Sequence, residues 1–370
     1  MIALTFGHGG QYIRAALEGA EDSELRVLAL TLSGEPGGAL AQATVSAYDA
    51  TQGWAPIGTV GEVLGAARAH GEPVVFDIGG LRFRPWFREI PSRCGLVRTL
   101  HGKRATLNLI AALHQRGVVV APCRALVPVV VRIIAGRRIQ ETLLAIPLQR
   151  LPEPTQQAPP RNGLWRFFMV QGMRYPHKRK WRALRMPTKG HCPLVVMDAL
   201  ARALPTEDFE FHFVGSDPSR PILETKAAEL NARLGRPRLF IHPATASAPY
   251  EMMRESHLCF GAGYAAREAI AIGRPLIPIG RIGIGPVVRT ATLERLDALN
   301  FGDYGPLGLP MRLAPLAAPY LARQIRSATR AYEEITEESL QLAHAIRKLV
   351  PPRRLAERLT DIYTLSLHLR

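Results

Sequence analysis

The sequence predicts an α/β protein with two doubly wound parallel sheets, one in each half of the chain. Its 370 residues exceed what one hydrophobic core usually supports. In both halves, short apolar runs alternate with stretches of helical period, which is typical of parallel sheets. A proline- and glutamine-rich segment without periodicity, 148–163, separates the two series and indicates an interdomain linker.

The two series of strands define the expected domains. Strands are predicted at 2–6, 26–32, 74–77, 96–100, 118–121 and 143–147, and then at 166–171, 210–215, 238–242, 258–260 and 275–278. We therefore expect an N-terminal domain over 1–158, a second domain over 159–350, and a C-terminal helix over 351–370 for which packing back on the N-terminal domain is one option. Two such domains leave a cleft between the carboxyl ends of their sheets, where ligands bind in folds of this kind.

The composition is that of a globular protein, with 47% hydrophobic and 21% charged residues. The chain shows neither an apolar run of bilayer length nor a basic leader, so we expect a cytoplasmic protein, with peripheral association at the inner face of the membrane as an option. The four cysteines, Cys94, Cys123, Cys192 and Cys259, form no CxxC pair. We expect no disulfide and no structural zinc.

The charge is high and uneven. The formal net charge is +16; residues 82–138 contain a single acid, Glu89, and residues 161–189 contain nine basic residues and no acid. Such belts attract nucleic acid, phosphates or anionic lipid, although solvated arginine-rich faces are an equally simple interpretation. Aromatic residues within the second belt could stack on bases or belong to the core: Trp165, Phe167, Phe168, Tyr175 and Trp181.

The most informative motif is 258–277, which predicts a strand, a glycine loop, a helix and a second strand. Gly261 and Gly263 allow backbone N–H groups to face a diphosphate at the start of the helix. Glu268, about one turn further, suits a carboxylate that accepts hydrogen bonds from the two hydroxyls of a ribose. The alternative is an ordinary tight turn with Glu268 as a solvated helix residue. A further glycine-rich stretch, 280–285, is weak evidence by itself.

Glu268-Ala269 followed by Gly273 and Pro275 resembles the retaining glycosyltransferases of family 4, which have the GT-B fold. In that family a first glutamate precedes this one by eight positions and helps to hold the donor sugar. Phe260 occupies its place here, and the glycine-rich loop is similar to that of divergent members. The resemblance extends over most of the chain and implies two Rossmann-like domains with an interdomain cleft and C-terminal helices.

A second stretch of the resemblance is basic. Residues 185–199 are similar to the family's arginine, lysine-glycine and amphipathic helix, so Lys189 and Arg185 are candidates for contacts with the diphosphate leaving group. The spacing is one residue short, and Arg174 and Lys178 could supply the pair instead. Solvated basic side chains in a loop are the simpler interpretation for any one of these positions.

In the first half, the loop after the first strand lacks the third glycine of a dinucleotide fingerprint, which disfavours a nicotinamide site. The resemblance makes this the loop that contacts donor phosphate and acceptor, through Gly9 and Gly10. His101, in Thr99-Leu-His-Gly102, matches the family's histidine-glycine turn beside the donor sugar. A lone histidine is more often structural.

The resulting prediction is a metal-independent, retaining glycosyltransferase of the hexosyltransferase type. It uses no cofactor besides the nucleoside diphosphate sugar, with a UDP-sugar as the expected donor. The predicted catalytic residues are His101, Lys189 and Arg185. The predicted donor-binding residues are Gly9, Gly10, Arg174, Gly215, His242, Gly261, Gly263, Tyr264, Ala265 and Glu268. The acceptor is unknown; the basic belts suggest an anionic one, either nucleic acid or a lipid-linked acceptor at a membrane surface.

Two other functions stay open, a non-catalytic nucleotide-sugar-binding protein and a sugar-nucleotide epimerase. The missing first glutamate motivates the former, and the latter needs further acids and bases that the sequence does not offer. Serine hydrolases, HExxH zinc proteases and P-loop NTPases are excluded because the chain contains none of their motifs.

Overall fold

The chain forms two compact units, Met1–Gln149 with Val350–Arg370, and Arg150–Leu349. The division falls N-terminal to the boundary expected near Pro159. The computed structural model describes residues 1–6, 10–21, 23–31, 39–49, 53–79, 89–99, 117–121, 139–141, 147–148, 151–154, 159, 162–171, 191–215, 220–243, 249–303, 305, 307–311, 314–349 and 351–368.

The described helices alternate with the strands in both units. They are α1 Gly10–Gly19, α2 Val60–Ala69, α3 His191–Ala203, α4 Arg220–Leu234, α5 Pro249–Arg254, α6 Tyr264–Ala271, α7 Leu293–Ala298, α8 Ala314–Arg330, α9 Tyr332–Leu349 and α10 Pro352–His368. Local sequence explains where some of them begin. Helix α2 starts at a capping box, in which Glu62 N–H donates to Thr59 Oγ1 (3.3 Å) and Thr59 N–H donates to Glu62 Oε2 (2.7 Å).

The described strands of the first unit form one eight-stranded sheet. They are β1 Ile2–Phe6, β2 Arg26–Thr31, β3 Thr44–Asp49, β4 Gly53–Thr59, β5 Val74–Ile78, β6 Gly95–Thr99, β7 Val118–Ala121 and β8 Ile139–Glu141. Their order is β4-β3-β2-β1-β5-β6-β7-β8, and all neighbours are parallel except at β3. Strands β5, β6 and β7 are buried throughout, as expected of central strands covered on both faces.

Helix α10 belongs to the first unit although it follows the second in sequence. It packs on α1 so closely that a Cβ at Gly19 would overlap the backbone of Pro352. It also reaches the centre of the sheet, where the Tyr363 hydroxyl donates to Asp77 Oδ2 at 2.7 Å.

The second unit contains a five-stranded parallel sheet among its described residues. Its strands are β9 Leu164–Gln171, β10 Asp208–Gly215, β11 Leu239–Pro243, β12 Leu258–Gly261 and β13 Leu276–Pro278, in the order β11-β10-β9-β12-β13. A two-stranded antiparallel pair, β14 Gly283–Ile284 and β15 Leu309–Pro310, follows it in the chain. The strand order reverses direction between β9 and β12, which is the topological switch point of the sheet.

A group of aromatic side chains lies in the core of the second unit. Phe167, Phe209, Phe211, Phe213 and Phe260 are each at most 2% exposed, and α3, α4 and α8 contribute aliphatic side chains to the same core cluster. Trp165 lies in the same core, and Phe168 is 1% exposed. The suggestion that Trp165, Phe167 and Phe168 stack on nucleobases is therefore wrong, because these rings are buried; Tyr175 and Trp181 lie outside the described residues.

Most predicted strands coincide with observed ones to within two residues, and two differences are instructive. The antiparallel pair β3 and β4 is absent from the prediction, because Pro56 and two glycines, Gly53 and Gly58, break its alternation. The strand expected at 143–147 is not seen in the described residues there, where Pro147 lies outside any strand and 142–146 are undescribed; β8 instead lies at Ile139–Glu141.

Candidate functional site

The candidate site lies at the carboxyl edge of the second unit's sheet, at its switch point. In open parallel sheets the loops that diverge here leave a crevice that binds ligands. Strand β12 ends at Gly261 on this edge, and α6 begins at Tyr264. The strand, turn and helix predicted at 258–277 are therefore present, and they lie where this topology places a ligand.

The turn between β12 and α6 depends on Gly263. Its φ of 63° and ψ of −130° form a backbone conformation that a side chain disfavours strongly. Its N–H donates to the Asn300 carbonyl at 3.2 Å, so this amide is used within the protein and does not face a ligand as the sequence motif suggested. The first hydrogen bond of the helix runs from Arg267 N–H to Gly263 O at 3.2 Å.

The amides of Tyr264, Ala265 and Ala266 precede that first intrahelical bond. The opening amides of an α-helix have no acceptor within the helix, and the helix dipole favours an anion beside them. Gly261 adjoins this turn, and a Cβ there would lie 3.4 Å from Ala265, an ordinary contact. Neither the backbone nor the neighbouring atoms require glycine at 261, which leaves close approach of a ligand as a reason for the missing side chain.

Glu268 is buried one turn into α6. Its side chain is 4% exposed, and Tyr250, on α5, donates its hydroxyl to Oε1 at 3.0 Å. The interpretation of Glu268 as a solvated helix residue is therefore wrong. A carboxylate is kept in a buried position when hydrogen-bond donors satisfy it.

Arg267, next to Glu268, ties α6 to the loop beneath the glycine turn. Its guanidinium lies 2.7 Å from Asp297 Oδ1 and donates to Asn300 Oδ1 at 2.7 Å, with the Phe301 ring centroid 5.4 Å away. Asn300 and Phe301 both have φ of 51°, a left-handed conformation that side chains rarely adopt. The hydrogen bond to Asn300 therefore ties α6 to this left-handed loop, a role of Arg267 that the sequence motif does not indicate.

The second glycine-rich stretch, 280–285, has a packing role. A Cβ at Gly280 would lie 2.6 Å from Asp303 N, and one at Gly283 would lie 2.7 Å from Leu307 N. At Gly285 the obstacle is the Pro278 ring, with Cγ 2.7 Å away. These glycines let β14 and the loop that contains Asp303 approach each other.

Phe260, at the position of the family's first glutamate, points into the core. Its ring centroid lies 6.1 Å from that of Phe167 and 6.3 Å from that of Phe211. This position therefore supplies no acidic group to the carboxyl edge.

Gly215 and His242 both lie near the carboxyl edge. At Gly215, which ends β10, a Cβ would overlap the Phe213 ring, so packing requires the glycine. His242 Nε2 lies 3.0 Å from His212 Nδ1. Burial lowers the pKa of both histidines, with Glu210 opposing the shift at His212, and with His212 and Arg220 adding to it at His242. The lowered pKa values favour the neutral rings, which can pair as one donor and one acceptor.

In the first unit, Gly10 is the first residue of α1. Gly9, His101, Arg174, Arg185 and Lys189 lie outside the described residues, as does Lys178. Their predicted roles stay predictions.

A buried polar cluster lies at the carboxyl edge of the first unit, where the sequence motifs predict none. Asp77, which is fully buried, accepts hydrogen bonds from Thr99 Oγ1 at 2.9 Å and from the Tyr363 hydroxyl at 2.7 Å. Burial lowers the pKa of the neighbouring Arg98 to about 10, with Asp77 opposing the shift, and Arg98 Nη1 donates to Ile78 O at 2.9 Å. A lone acid within the apolar run Val74–Ile78 is the signal that could have revealed it.

Within the described part of the chain, no helix combines the length and the apolar character needed to cross a bilayer.

The chain matches no family model and no curated protein by sequence. Solved structures resemble it along nearly its whole length. A glycosyltransferase from Rickettsia africae shares 14% identity with a TM-score of 0.59, covering 99% of this chain and 98% of that one. HepE from Anabaena in complex with UDP-glucose shares 13% with a TM-score of 0.63, covering 99% of each chain.

A UDP-forming α,α-trehalose-phosphate synthase from Burkholderia vietnamiensis shares 12% identity with a TM-score of 0.63, covering 99% of this chain and 97% of that one. Together these likenesses show that the chain has the GT-B fold, with two Rossmann-like domains. The predicted fold class is confirmed.

Proposed function

We propose that this protein is a glycosyltransferase that moves a sugar from a nucleoside diphosphate sugar to an acceptor hydroxyl. The observation that carries the proposal is the unit formed by β12, the Gly261–Gly263 turn and α6, with Glu268 buried one turn beyond. The similar structures of HepE in complex with UDP and with UDP-glucose support the choice of a UDP-sugar donor.

In this proposal the first turn of α6 binds the diphosphate. The amides of Tyr264, Ala265 and Ala266 donate to phosphate oxygens, aided by the helix dipole, and Gly261 leaves room for the ligand. The Glu268 carboxylate accepts hydrogen bonds from the ribose hydroxyls. Gly215 and His242, at the ends of the neighbouring strands, complete the donor side on this edge.

The chemical step is assigned to basic residues from the resemblance. Lys189 and Arg185, with Arg174 and Lys178 as the alternative pair, neutralise the charge that develops on the leaving diphosphate. His101 lies beside the donor sugar, and Gly9 and Gly10 contact the donor phosphate and acceptor. We further propose that a hexose is transferred with retention of anomeric configuration and without a metal. Nuclear magnetic resonance of the first-formed product tests this, since an inverted anomer would contradict it.

A non-catalytic nucleotide-binding protein is the second candidate, and the buried Phe260 favours it. The residue leaves the position without the carboxylate that holds the donor sugar in family 4. Release of UDP from UDP-glucose by the purified protein, with or without an acceptor, would exclude this alternative.

The chemical class of the acceptor is proposed from the net charge of the protein. A net charge of +16 favours an anionic acceptor, nucleic acid or a lipid-linked one at a membrane surface. Sedimentation with anionic vesicles and a gel shift with single-stranded DNA, both at low salt, separate the two. Binding to neither contradicts the anionic acceptor while leaving the donor site untouched.

Thermal unfolding with UDP, ADP and GDP tests the central proposal. A ligand at a hundred times its dissociation constant should stabilise the native protein by about 2.7 kcal/mol. Glu268→Ala should abolish most of this stabilisation, whereas the control Glu229→Ala, at an exposed position on α4, should retain it. If none of the diphosphates stabilises the native protein, the proposed donor site is refuted.

A further inference from the structure

The hydrogen bond between Tyr250 and Glu268 joins two elements of the candidate site. Tyr250 is the second residue of α5, and Glu268 lies in the middle of α6, 18 residues later. The Tyr250 ring is half-buried, and its hydroxyl lies 3.0 Å from Glu268 Oε1. The resemblance that pointed to Glu268 did not include Tyr250.

We propose that Tyr250 is a positioning residue that fixes the Glu268 carboxylate so that it selects ribose over 2′-deoxyribose in the donor nucleotide. This inference rests on the proposed function, because it assigns Glu268 to the sugar of the nucleotide. It narrows the donor class to ribonucleoside diphosphate sugars.

The need for positioning follows from the geometry of a glutamate. Its last torsion joins an sp³ to an sp² carbon, and its preference is broad, so a carboxylate without a partner turns freely. To accept hydrogen bonds from two vicinal hydroxyls, the carboxylate must hold its plane in one orientation relative to them. A hydrogen bond from Tyr250 to Oε1 restricts that plane before the ligand arrives, which reduces the ordering cost of binding.

A carboxylate has about four lone-pair directions, so the one hydrogen bond from Tyr250 does not by itself saturate Glu268 as an acceptor. The 4% exposure of Glu268 strengthens each remaining hydrogen bond, because little water competes for it.

The burial of Glu268 also accounts for the preference for ribose over 2′-deoxyribose. When the 2′-hydroxyl is absent, a buried charged acceptor loses a donor that water cannot replace fully. Sites built to bind a hydroxyl reject the analogue that lacks it for this reason. The preference requires the carboxylate to face the hydroxyls, so it should depend on Tyr250.

The competing explanation is that this hydrogen bond only holds α5 against α6. Under that explanation Tyr250→Phe weakens all nucleotides by the same factor through a distorted site. The ratio of affinities for ribo- and 2′-deoxyribonucleotides separates the two, because a uniform distortion leaves it unchanged.

The experiment is calorimetric titration of UDP and 2′-deoxy-UDP, with the corresponding ADP and GDP pairs alongside. The native protein should prefer UDP over 2′-deoxy-UDP by about tenfold. Tyr250→Phe should weaken UDP by about tenfold and 2′-deoxy-UDP by less than about threefold, so that the preference nearly disappears. The control Tyr320→Phe, on α8 against Gly308, should change neither affinity.

Repeating the titrations in a protein that carries Glu268→Gln tests whether Tyr250 acts through the carboxylate. In that background the Tyr250→Phe change should no longer affect the ratio, because the oriented carboxylate is already gone. If Tyr250→Phe does not fold, Tyr250→His, which keeps a ring N–H donor, replaces it and should retain part of the preference.

Equal weakening of both nucleotides, or unchanged binding of both, in a folded variant at Tyr250 would overturn the inference while the proposed function stands. Failure of the native protein to bind any ribonucleoside diphosphate would overturn the proposed function itself, and with it this inference. The two failures are distinguishable because the second is seen without any substitution.

Discussion

Two glycine-rich stretches of the second unit, 261–263 and 280–285, look alike in sequence and differ in what surrounds them. At Gly280, Gly283 and Gly285 a Cβ would collide with backbone or ring atoms of the same unit. At Gly261 and Gly263 the nearest atoms would lie at ordinary contact distances, 3.4 Å or more. In the second stretch the protein occupies the space that a side chain would need, whereas at Gly261 and Gly263 a Cβ would make only ordinary contacts.

The comparison teaches that a glycine-rich motif must be judged by what a side chain would meet. A stretch whose glycines are required for packing needs no ligand to explain it. Gly261, which neither crowding nor a positive φ requires, lies beside a helix N-terminus and calls for another cause; close approach of a ligand is one.

The largest effect is expected for Gly280→Ala. The new methyl group would overlap Gly302 and Asp303 backbone atoms, which cannot move aside without disturbing the left-handed loop. We expect a loss of about 3 kcal/mol in the free energy of unfolding, measured by urea denaturation. A loss below about 1 kcal/mol would break the comparison, since Gly280 would then be as free as Gly261.

A smaller loss in the free energy of unfolding is expected for Gly263→Ala. No atom blocks the methyl group, but a φ of 63° with a ψ of −130° is a conformation nearly restricted to glycine. We expect about 2 kcal/mol of destabilisation by the same measurement, from backbone strain alone. A loss below about 1 kcal/mol would show that the turn adapts to a side chain and that its backbone does not require Gly263.

Gly261→Ala should separate stability from binding. The free energy of unfolding should change by less than about 0.5 kcal/mol, because the added Cβ makes ordinary contacts. Affinity for UDP should fall about tenfold, because the methyl group occupies space that the diphosphate needs. Unchanged UDP affinity, measured by calorimetry, would remove Gly261 from the donor site.

Gly65→Ala provides the baseline, because it is expected to raise the free energy of unfolding slightly and not to affect binding. Gly65 is an exposed interior residue of α2, and a Cβ added there would meet no atom within 4 Å. Alanine at this position should stabilise the first unit by about 0.5–1 kcal/mol through its helix propensity. Urea denaturation checks this, and a destabilised variant would indicate that the new methyl group meets atoms around α2 after all.

Much of the fold could be predicted because it depends on local periodicity. The buried strands Val74–Ile78 and Val118–Ala121 are continuous apolar runs, and the glycine turn before α6 combines a strand end with a helix start. Such signals lie within a few neighbouring residues, so a single sequence reveals them.

Contacts between distant residues could not be predicted. The sequence around Glu268 does not predict its contact with Tyr250, and the sequence around Arg267 does not predict its contacts with Asp297 and Asn300. Positive φ at Phe301 also has no local signature, because it runs against the intrinsic preference of an aromatic residue. The sequence therefore identifies the carboxylate of the site but not the groups that hold it.

Tyr363 and Asp77 are in contact although they lie 286 residues apart in sequence, so one of them is synthesised long before the other. Everything that the second unit needs, Arg150–Leu349, leaves the ribosome before α10 does. The first unit, begun earliest, cannot complete its core until residues 350–370 have emerged and α10 has covered β5 and β6. During translation the second unit can therefore fold before the first unit is complete, because the first unit still lacks α10.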